Sequence, residues 1–440
     1  MNNSFLVKNQ IVQRKERAVD GVYYDCFVAI GFLIAFLICK LLSFTILFYA
    51  CAVLLTLYML FCKPSSLILM MVFILPSSGL IKLTSASSAI LGYCFLIGEI
   101  KYLVINTSKI KISLILVLLT LCVGLTVFYY LDYSLGLTIF RFMVSMVFLY
   151  FVSGDDKLIS RLQKNGINVF IAGTIFNIVL GLAYYFFTKR NVFSGNFCGV
   201  SLDRNFYSAV ISMAISFAVI QFFISKRALL TFAELVFLFF GGLLSGSRTF
   251  LVSLIIPILI VLYFLFSGKY IKKVLPFIFV LLAVGLLFSS LLSPLLNMTI
   301  DRFDASDVST ANGRYDIWKY YLEKTTSNPT SFFIGSSFKT DLYISTNHTL
   351  HDVVHHNTFI QSLSTIGVLG TSLLILSFYK LFVLLKRPGK KRFVFLFPLF
   401  SLILCYFFIN GLFSDLLTIM IFLSFMFYQC QTNEYENSAN

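Results

Sequence analysis

Most of this chain consists of apolar runs long enough to cross a lipid bilayer, and these runs restrict its fold more than any other feature. Its 440 residues are 59% hydrophobic and 12% charged, with a mean hydropathy of +0.91. A spanning helix needs about 20 mostly apolar residues, and runs of that length recur along the sequence. Backbone polar groups inside a bilayer must be paired within the segment, which favours helices. We therefore predict an all-α polytopic membrane protein rather than a soluble one.

The apolar runs divide into about fourteen candidate spans. The first three are short and are separated by single lysines, Lys40 and Lys63, so twelve to fourteen spans are compatible with the sequence. Neither a soluble domain nor an internal repeat interrupts them, and residues 1–440 are predicted to form one integral membrane domain. The candidate spans cover residues 22–39, 43–62, 65–82, 86–105, 111–130, 134–152, 166–187, 205–224, 228–246, 249–267, 272–293, 358–385, 393–410 and 413–430.

The net charge of +15 indicates membrane orientation rather than a nucleic-acid partner. When the spans alternate from a cytoplasmic N-terminus, nearly all of the excess Lys and Arg falls on cytoplasmic segments, as the positive-inside rule requires. The clearest of these segments are Lys269–Lys273 and Lys386–Arg392. The first 25 residues are polar and basic and lack a cleavage site, so the first apolar run is expected to remain as an anchor. We expect both termini in the cytoplasm.

The long hydrophilic loop at residues 294–357 is the predicted location of the active site. All four histidines lie in it, between His348 and His356. Histidine is the side chain whose ordinary pKa permits proton exchange near neutrality. Alternation of the spans places this loop on the outer side of the membrane. Within the loop, residues 310–324 predict a helix with an apolar stripe, for which Asn312 can act as the N-cap.

Four arginines would meet at the outer boundary of the membrane in this topology. Guanidinium groups form bidentate, permanently charged contacts with phosphate oxygens. A charge placed within a span is costly and tends to face a polar cavity or a partner. The cluster therefore predicts a site for an anionic head group such as a lipid-linked diphosphate. Its members are Arg141, Arg204, Arg248 and Arg314.

Each arginine also has a structural interpretation. Arg141 could pair with Glu99 or Glu234 inside the membrane. Arg204 could be an interfacial anchor at a helix start, paired with Asp203. Arg248 could extend its charge to the interface along its aliphatic stem, and Arg314 could be an exposed loop charge. The sequence leaves both interpretations open for every member of the set.

The histidines allow two chemical interpretations. His351 and His355 stand four residues apart with Asp352 nearby, but this spacing matches no established zinc motif, so no metal is predicted. The alternative is one histidine acting as a general base at the junction of loop and membrane. His356, directly before Asn357 and span 358–385, is best placed for this role. Trp318, the single tryptophan, is either part of an interfacial aromatic belt or a platform for a sugar ring.

Three segments, in this order, resemble the bacterial O-antigen polymerase and O-antigen ligase superfamily. They are Ser245–Phe250 (SGSRTF), Asn312–Trp318 (NGRYDIW), and His356–Ile360 (HNTFI) with Gly367–Gly370 (GVLG). Their order and spacing agree over roughly residues 240–375. The resemblance implies a membrane glycosyltransferase of GT-C-type architecture in the bacterial inner membrane, with a large, partly helical periplasmic loop.

Members of this superfamily join undecaprenyl-diphosphate-linked glycans to an acceptor sugar, without a nucleotide sugar or an obligatory metal. The resemblance implies that Arg248 and Arg314 hold the diphosphate and that His356 assists the acceptor hydroxyl. The doubled histidine leaves open whether His355 or His356 acts. Around them, the substrate-binding set is expected to include Arg204, Arg141, His355, Trp318 and Asn357.

The implied partners are the undecaprenyl-diphosphate-linked oligosaccharide, membrane lipid and a chain-length regulator protein, and no cofactor is expected. A polymerase is favoured over a ligase, because the long loop is compact and its motifs are closer to those of polymerases. A ligase would use the same donor with a lipid A-core acceptor. A flippase or secondary transporter would instead predict inverted repeats and broken helices, with no use for a histidine-bearing loop.

Overall fold

The computed structural model describes residues 24–81, 90–109, 113–201, 203–225, 227–268, 270–273, 314–337, 342–344, 350–352, 355–386 and 392–429, with scattered single residues between 275 and 300. Helices form most of this part of the chain. The α-helices are α1 (Tyr24–Leu41), α2 (Thr45–Phe61), α3 (Pro64–Ile74), α4 (Ile90–Ile105), α5 (Leu114–Tyr130), α6 (Tyr133–Ser153), α7 (Asp156–Phe187), α8 (Arg204–Ile224), α9 (Ala228–Leu244), α10 (Arg248–Ser253), α11 (Ile255–Phe266), α12 (Arg314–Ser327), α13 (Pro329–Ile334), α14 (Thr358–Leu384), α15 (Phe397–Tyr406) and α16 (Asp415–Gln429).

In the described ranges, the chain also forms short 3-10 helices and one strand pair. The 3-10 helices cover Leu75–Ile81, Thr107–Lys109, Val192–Ser194 and Phe393–Leu396. Strands β1 (Leu342–Ile344) and β2 (Leu350–Asp352) pair antiparallel inside the long loop, with Tyr343 opposite His351. The sequence predicts only a helix in this loop, and strands of three residues are too short to show a clear alternating pattern.

Six helices in the described ranges are long and apolar enough to cross a membrane: α1, α6, α7, α8, the α10–α11 pair (Arg248–Phe266) and α14. Shorter apolar helices are α2, α3 with its 3-10 extension, α5, α9, α15 and α16. Every predicted span coincides with a helix except 272–293, much of which lies outside the described residues. The prediction of a helical membrane protein is confirmed, and the number of fourteen spans stays a prediction.

Helix α8 forms the centre of the bundle. Its residues from Phe206 to Phe223 are all buried, and it packs against α7, α9, α10, α11 and α15. The small polar residues of α8 permit this packing; for example, the Ser212 hydroxyl bonds that of Ser253 on α10. Peripheral helices instead expose large apolar side chains, among them Ile46 and Phe61 of α2. Such extensive apolar exposure indicates faces that contact lipid.

Contacts at the two ends of the bundle agree with alternating spans. At one end, Lys40 in the last turn of α1 donates to the Gly79 carbonyl at 3.0 Å and lies over the Tyr184 ring near the end of α7. At the opposite end, Arg161 of α7 approaches Asp25 of α1 at 4.0 Å, and Lys273 donates to the Ser225 carbonyl at 3.3 Å. Segments assigned to one side of the membrane thus meet at one end of the bundle.

Helix α14 is interrupted, whereas the sequence predicted a continuous span at 358–385. Gly367 has φ 67° and ψ −176°, which is essentially restricted to glycine. A Cβ at this position would lie within 2.6 Å of the Gly335 amide nitrogen, so the loop backbone after α13 occupies the break. The amides of Ser336 and Ser337 donate to the Ser364 and Thr365 carbonyls at 2.6 and 3.1 Å. Because Gly367 has no side chain, the backbone of the long loop near Gly335 can pack directly against α14.

Two predicted helix boundaries differ from those observed. Helix α7 begins at Asp156 rather than at residue 166, because the Asp155 carboxylate accepts the Lys157 and Leu158 amides and starts the helix earlier. The loop helix predicted over 310–324 is observed as α12, which ends at Ser327, and residues 310–313 lie outside the described residues. Its predicted cap, Asn312, lies outside the described residues.

Candidate active site at the loop–membrane junction

The turn before α10 and the loop between α7 and α8 are in direct contact. Gly246 has φ +53°, and a Cβ there would lie 2.8 Å from the Gly195 carbonyl oxygen. Arg204 Nη1 donates to that carbonyl and to Asn196 Oδ1, both at 3.1 Å. Gly195 thus contacts both Arg204, which begins α8, and Gly246, two residues before α10 begins at Arg248. It therefore brings the starts of α8 and α10 together. Glycine at position 246 is required both for its backbone conformation and for this close approach.

A buried polar network holds the α7–α8 loop in place. Asn177 of α7 accepts the Val200 amide at 2.8 Å and donates to the Ser201 hydroxyl at 2.8 Å. That hydroxyl donates to the Pro76 carbonyl at 2.8 Å. Asn177 is fully buried and was missed by the sequence analysis, although a polar amide inside the apolar run 166–187 was a usable signal. The network fixes where α8 begins.

Asp203 caps α8, whereas the sequence left open a pairing of its carboxylate with Arg204. Its carboxylate accepts the Asn205 amide at 2.7 Å and the Phe206 amide at 3.0 Å. An aspartate at this position satisfies helix amides that would otherwise lack partners. The cap orients the first turn of α8, from which Arg204 extends to Gly195 and Asn196.

Three of the four predicted arginines gather at this end of the bundle. The pKa of Arg314, the first residue of α12, is lowered by burial and then by the positive charges of Arg248 and Arg204. All three side chains are half-buried, which weakens solvent screening of their repulsion. A bound phosphate or diphosphate would offset this repulsion through charge-assisted hydrogen bonds. The arrangement is suited to an anion.

His355 connects the loop helix α12 to α14. Trp318 Nε1 donates to the His355 carbonyl at 2.9 Å, and the Tyr321 ring stacks on the imidazole with centroids 3.8 Å apart. His355 Nε2 lies 2.7 Å from the Ser364 hydroxyl. Burial, and secondarily the neighbouring His356, lower the pKa of His355 to about 4. His355 is therefore neutral at pH 7, and its ring is held between Tyr321 and Ser364.

His356 has a different environment. It adopts a left-handed backbone conformation with φ +50°, directly before Asn357, which caps α14 by accepting the Phe359 amide at 2.9 Å. Its pKa is lowered by burial and by the Arg314 charge, and raised to a lesser extent by Asp203. His356 is thus neutral at pH 7, the form that can accept a proton. Of the two histidines, this geometry favours His356 as the base.

Trp318 and Asn357 already have positions fixed by the protein. The Trp318 indole N–H is used on the His355 carbonyl, and the Asn357 side chain is used in capping α14. Both residues therefore help to place His356 relative to Arg314. Their predicted contacts with substrate stay predictions. Tyr321, which belongs to the predicted apolar stripe of the loop helix, stacks on His355, whereas nothing in the sequence distinguishes Ser364.

Arg141 forms an ion pair with Asp415 at the start of α16, not with Glu99 or Glu234 as the sequence analysis considered. Glu99 instead accepts a hydrogen bond from Ser145 at 2.8 Å. Gly92 of α4 leaves room for the Arg141 guanidinium, which a Cβ would meet directly. In the part of the chain described, no contact joins Arg141 to the other three arginines. Its predicted place in the substrate site therefore rests on the sequence alone.

Removing one member of this ion pair is expected to destabilise the protein more than removing both. Asp415→Leu would leave the Arg141 charge without its partner, at a cost of about 3–5 kcal/mol. The double variant Arg141→Leu/Asp415→Leu should regain most of that loss. Thermal unfolding in detergent would measure both. A double variant with normal stability and activity assigns Arg141 to structure, whereas lost activity at normal stability would assign it to the substrate site.

Acidification is expected to destabilise the protein through His355. Its folded-state pKa of about 4 lies below the ordinary value of 6.5, so between these pH values the unfolded state binds a proton that the folded state does not. Stability is therefore full above about pH 6.5 and falls as the pH drops toward 4. His355→Phe keeps a ring on Tyr321 and should flatten this dependence. An unchanged slope of melting temperature against pH would contradict the assignment.

The histidine segment is not arranged as the helical metal site considered from the sequence. His351 belongs to strand β2, whose extended backbone does not place it on one helical face with His355. His348 lies outside the described residues. Among those that are described, no group of three His, Cys, Asp or Glu side chains is placed to hold a metal ion.

Residues 233–375 match the family model described as O-antigen ligase. The matched segment covers about a third of the 440 residues and includes Arg248, Arg314 and His356, but neither Arg141 nor Arg204. No curated protein and no solved structure matches the chain. The match confirms the resemblance to the O-antigen polymerase and ligase superfamily, whose members act on lipid-linked glycans.

Proposed function

We propose that this chain is an O-antigen polymerase, a membrane glycosyltransferase that joins lipid-linked glycans at the periplasmic face of the bacterial inner membrane. The gathering of Arg204, Arg248 and Arg314 beside a neutral His356 carries the proposal. Two of these arginines and the histidine belong to the segment matched by the family model. Cationic groups for a diphosphate and a base for a sugar hydroxyl are the two requirements of this transfer.

The proposed donor is a glycan on undecaprenyl diphosphate. During transfer, the bond between the anomeric carbon and the diphosphate oxygen breaks, and negative charge grows on the leaving diphosphate. Arginines that are already positioned there stabilise the transition state more than the bound donor, because the charge is larger in the transition state. Arg314 and Arg248 would hold the diphosphate, with Arg204 beside them.

The acceptor sugar hydroxyl forms the new bond to the anomeric carbon and loses its proton to His356. The neutral imidazole accepts the proton and later releases it to solvent or to the departing diphosphate. A polymerase acceptor is the non-reducing end of a second lipid-linked repeat unit. Both substrates have their lipid chains in the bilayer, which is consistent with a site at the junction of loop and membrane.

A ligase is the second candidate, favoured by the description of the matched family. It would use the same donor and the same arginines, with lipid A-core as the acceptor. The polymerase is favoured because the loop is compact and the residues of its motifs are closer to those of polymerases. In either case the chain-length regulator is a predicted partner only.

A lipopolysaccharide gel from a strain that lacks this chain distinguishes the two. We expect core capped by a single repeat unit, without the ladder, and a restored ladder on complementation with the wild type. Bare core, with long glycan accumulating on the lipid carrier, would replace the polymerase by the ligase. An unchanged ladder would contradict both. Complementation with Lys319→Ala, an exposed change on α12, is the control and should restore the ladder.

A further inference from the structure

An open groove of about 730 Å³ lies at the end of α7, on the same side of the bundle as the arginine cluster. Leu182, Ala183, Phe186 and Phe187 give it an apolar wall, and Lys189 and Arg190 stand at its rim. Both cationic side chains are exposed, and Phe186 is 78% exposed. An apolar wall under a basic rim is suited to a lipid with an anionic head group.

The end of α7 fixes these cations in place. Lys189 adopts a left-handed conformation with φ +54°, a position where helices usually have glycine, and the Arg190 amide donates to the Tyr185 carbonyl at 2.9 Å. The Arg190 guanidinium lies over the Tyr184 ring at 5.5 Å, and Lys40 lies over the same ring at 5.3 Å. The cation–π contact holds the Arg190 guanidinium at the groove and brings Lys40 to the same ring.

A basic residue near the end of a helix also has a simple electrostatic role, because it complements the helix dipole. That role accounts for a charge at Lys189 or Arg190. It does not account for the apolar groove that these two residues line. Lys40 has a structural contact of its own with the Gly79 carbonyl. The combination of an apolar groove and two exposed cations is suited to a ligand with an anionic head group.

The groove and the arginine cluster contact the same α7–α8 loop, at Asn196. Cys198 in the α7–α8 loop is near enough to Arg190, Lys40 and Arg204 for their charges to lower its pKa, against the larger raising effects of burial and Asp203. The rim and the cluster therefore face the same loop. The Tyr185 hydroxyl donates to the Asn196 carbonyl at 2.9 Å, next to the site where Arg204 binds Asn196. A ligand on the rim would thus lie beside, but separate from, a ligand held by Arg204 and Arg314.

We propose that this groove binds the lipid carrier of the acceptor, with its isoprenoid chain on Leu182 and Phe186 and its diphosphate on Lys189 and Arg190. The inference rests on the proposed polymerase function, in which donor and acceptor each have a diphosphate. The acceptor keeps its diphosphate throughout the reaction. Two diphosphates on one cluster would repel each other, so two neighbouring basic sites fit two lipid-linked substrates better than one site does.

Binding of undecaprenyl diphosphate to the full-length protein in phosphatidylcholine nanodiscs tests this without requiring turnover. The wild type should bind two equivalents. Lys189→Gln/Arg190→Gln should weaken one of them at least tenfold and leave the other unchanged. Arg248→Ala/Arg314→Ala should weaken the other one. The conservative variant Lys189→Arg/Arg190→Lys should retain both sites, which separates loss of charge from misfolding.

The matched control is Lys157→Gln/Lys164→Gln, which removes two exposed lysines from the opposite end of α7 and should retain both equivalents. Two unchanged equivalents in Lys189→Gln/Arg190→Gln would overturn the inference. So would displacement of the second equivalent in phosphatidylglycerol nanodiscs, which would indicate a site for bulk anionic lipid. A single equivalent lost only with Arg248 and Arg314 would overturn the inference and leave the proposed function standing. Binding unaffected by Arg248→Ala/Arg314→Ala would instead contradict the proposed function.

Discussion

Replacing His356 with asparagine is expected to slow glycan transfer by about 10²–10⁴-fold, the usual contribution of a general base. Asparagine is the appropriate substitution because His356 has φ +50°, a conformation that asparagine tolerates better than alanine does. Residues 355–357 should therefore keep their backbone conformation, which the Trp318 contact at His355 and the Asn357 cap hold at either side. Initial rates with purified enzyme in proteoliposomes would measure the loss, and donor affinity should change little.

The pH dependence of the wild type should identify the same group. A base must be neutral to act, and burial together with the Arg314 charge lowers the pKa of His356. The rate should therefore be maintained as the pH falls to the ordinary histidine value of about 6.5 and decline at lower pH. Asp203 opposes this lowering, so Asp203→Asn, which can still cap α8, should move the acidic limb to lower pH.

Two outcomes would contradict the role of His356. A full ladder with His356→Asn or His356→Gly would exclude it as the base. An acidic limb that does not move in Asp203→Asn would assign the titration to another group. Lys319→Ala, an exposed change on the neighbouring helix, is the control and should leave both the rate and the pH profile unchanged.

Replacing Arg314 with alanine is expected to lower the rate by about 10²–10³-fold, the typical cost of losing one donor that stabilises transition-state charge. Its effect on stability should be the opposite. The Arg314 charge is half-buried and repelled by Arg248 and Arg204, so its removal should leave the melting temperature of the ligand-free protein unchanged or higher. Stability gained with activity lost is typical of a functional charge cluster.

The measurement is a pair of assays on each variant, initial rate and thermal unfolding in detergent. Undecaprenyl diphosphate should raise the melting temperature of the wild type and raise that of Arg314→Ala less, because at a given concentration a ligand that binds more tightly stabilises the folded state more. Arg314→Lys keeps the charge without the planar fork and should be intermediate. A large loss of stability in Arg314→Ala would instead assign this residue to the attachment of α12.

Hydropathy and charge along the chain are sufficient to predict the membrane helices and the set of candidate residues. Apolar runs must form helices in a bilayer, and every predicted span coincides with a helix except 272–293, much of which lies outside the described residues. The alternation of these runs also predicts which loops meet, because it assigns each loop to one side. Of the four arginines that the pattern groups, Arg204, Arg248 and Arg314 lie near enough for their charges to act on one another.

The role of each of these side chains depends on tertiary contacts. Arg141 had the same signal as the other arginines, but its partner Asp415 lies 274 positions away in sequence, and local pattern has no information about such pairs. His355 and His356 are neighbours with the same side chain. They differ because Tyr321 and Ser364 engage one ring, while a left-handed turn places the other near Arg314. The break at Gly367 likewise depends on backbone that enters from the long loop. Hydropathy is a property of a segment, whereas the role of a charged or titratable group depends on neighbours that the fold brings to it.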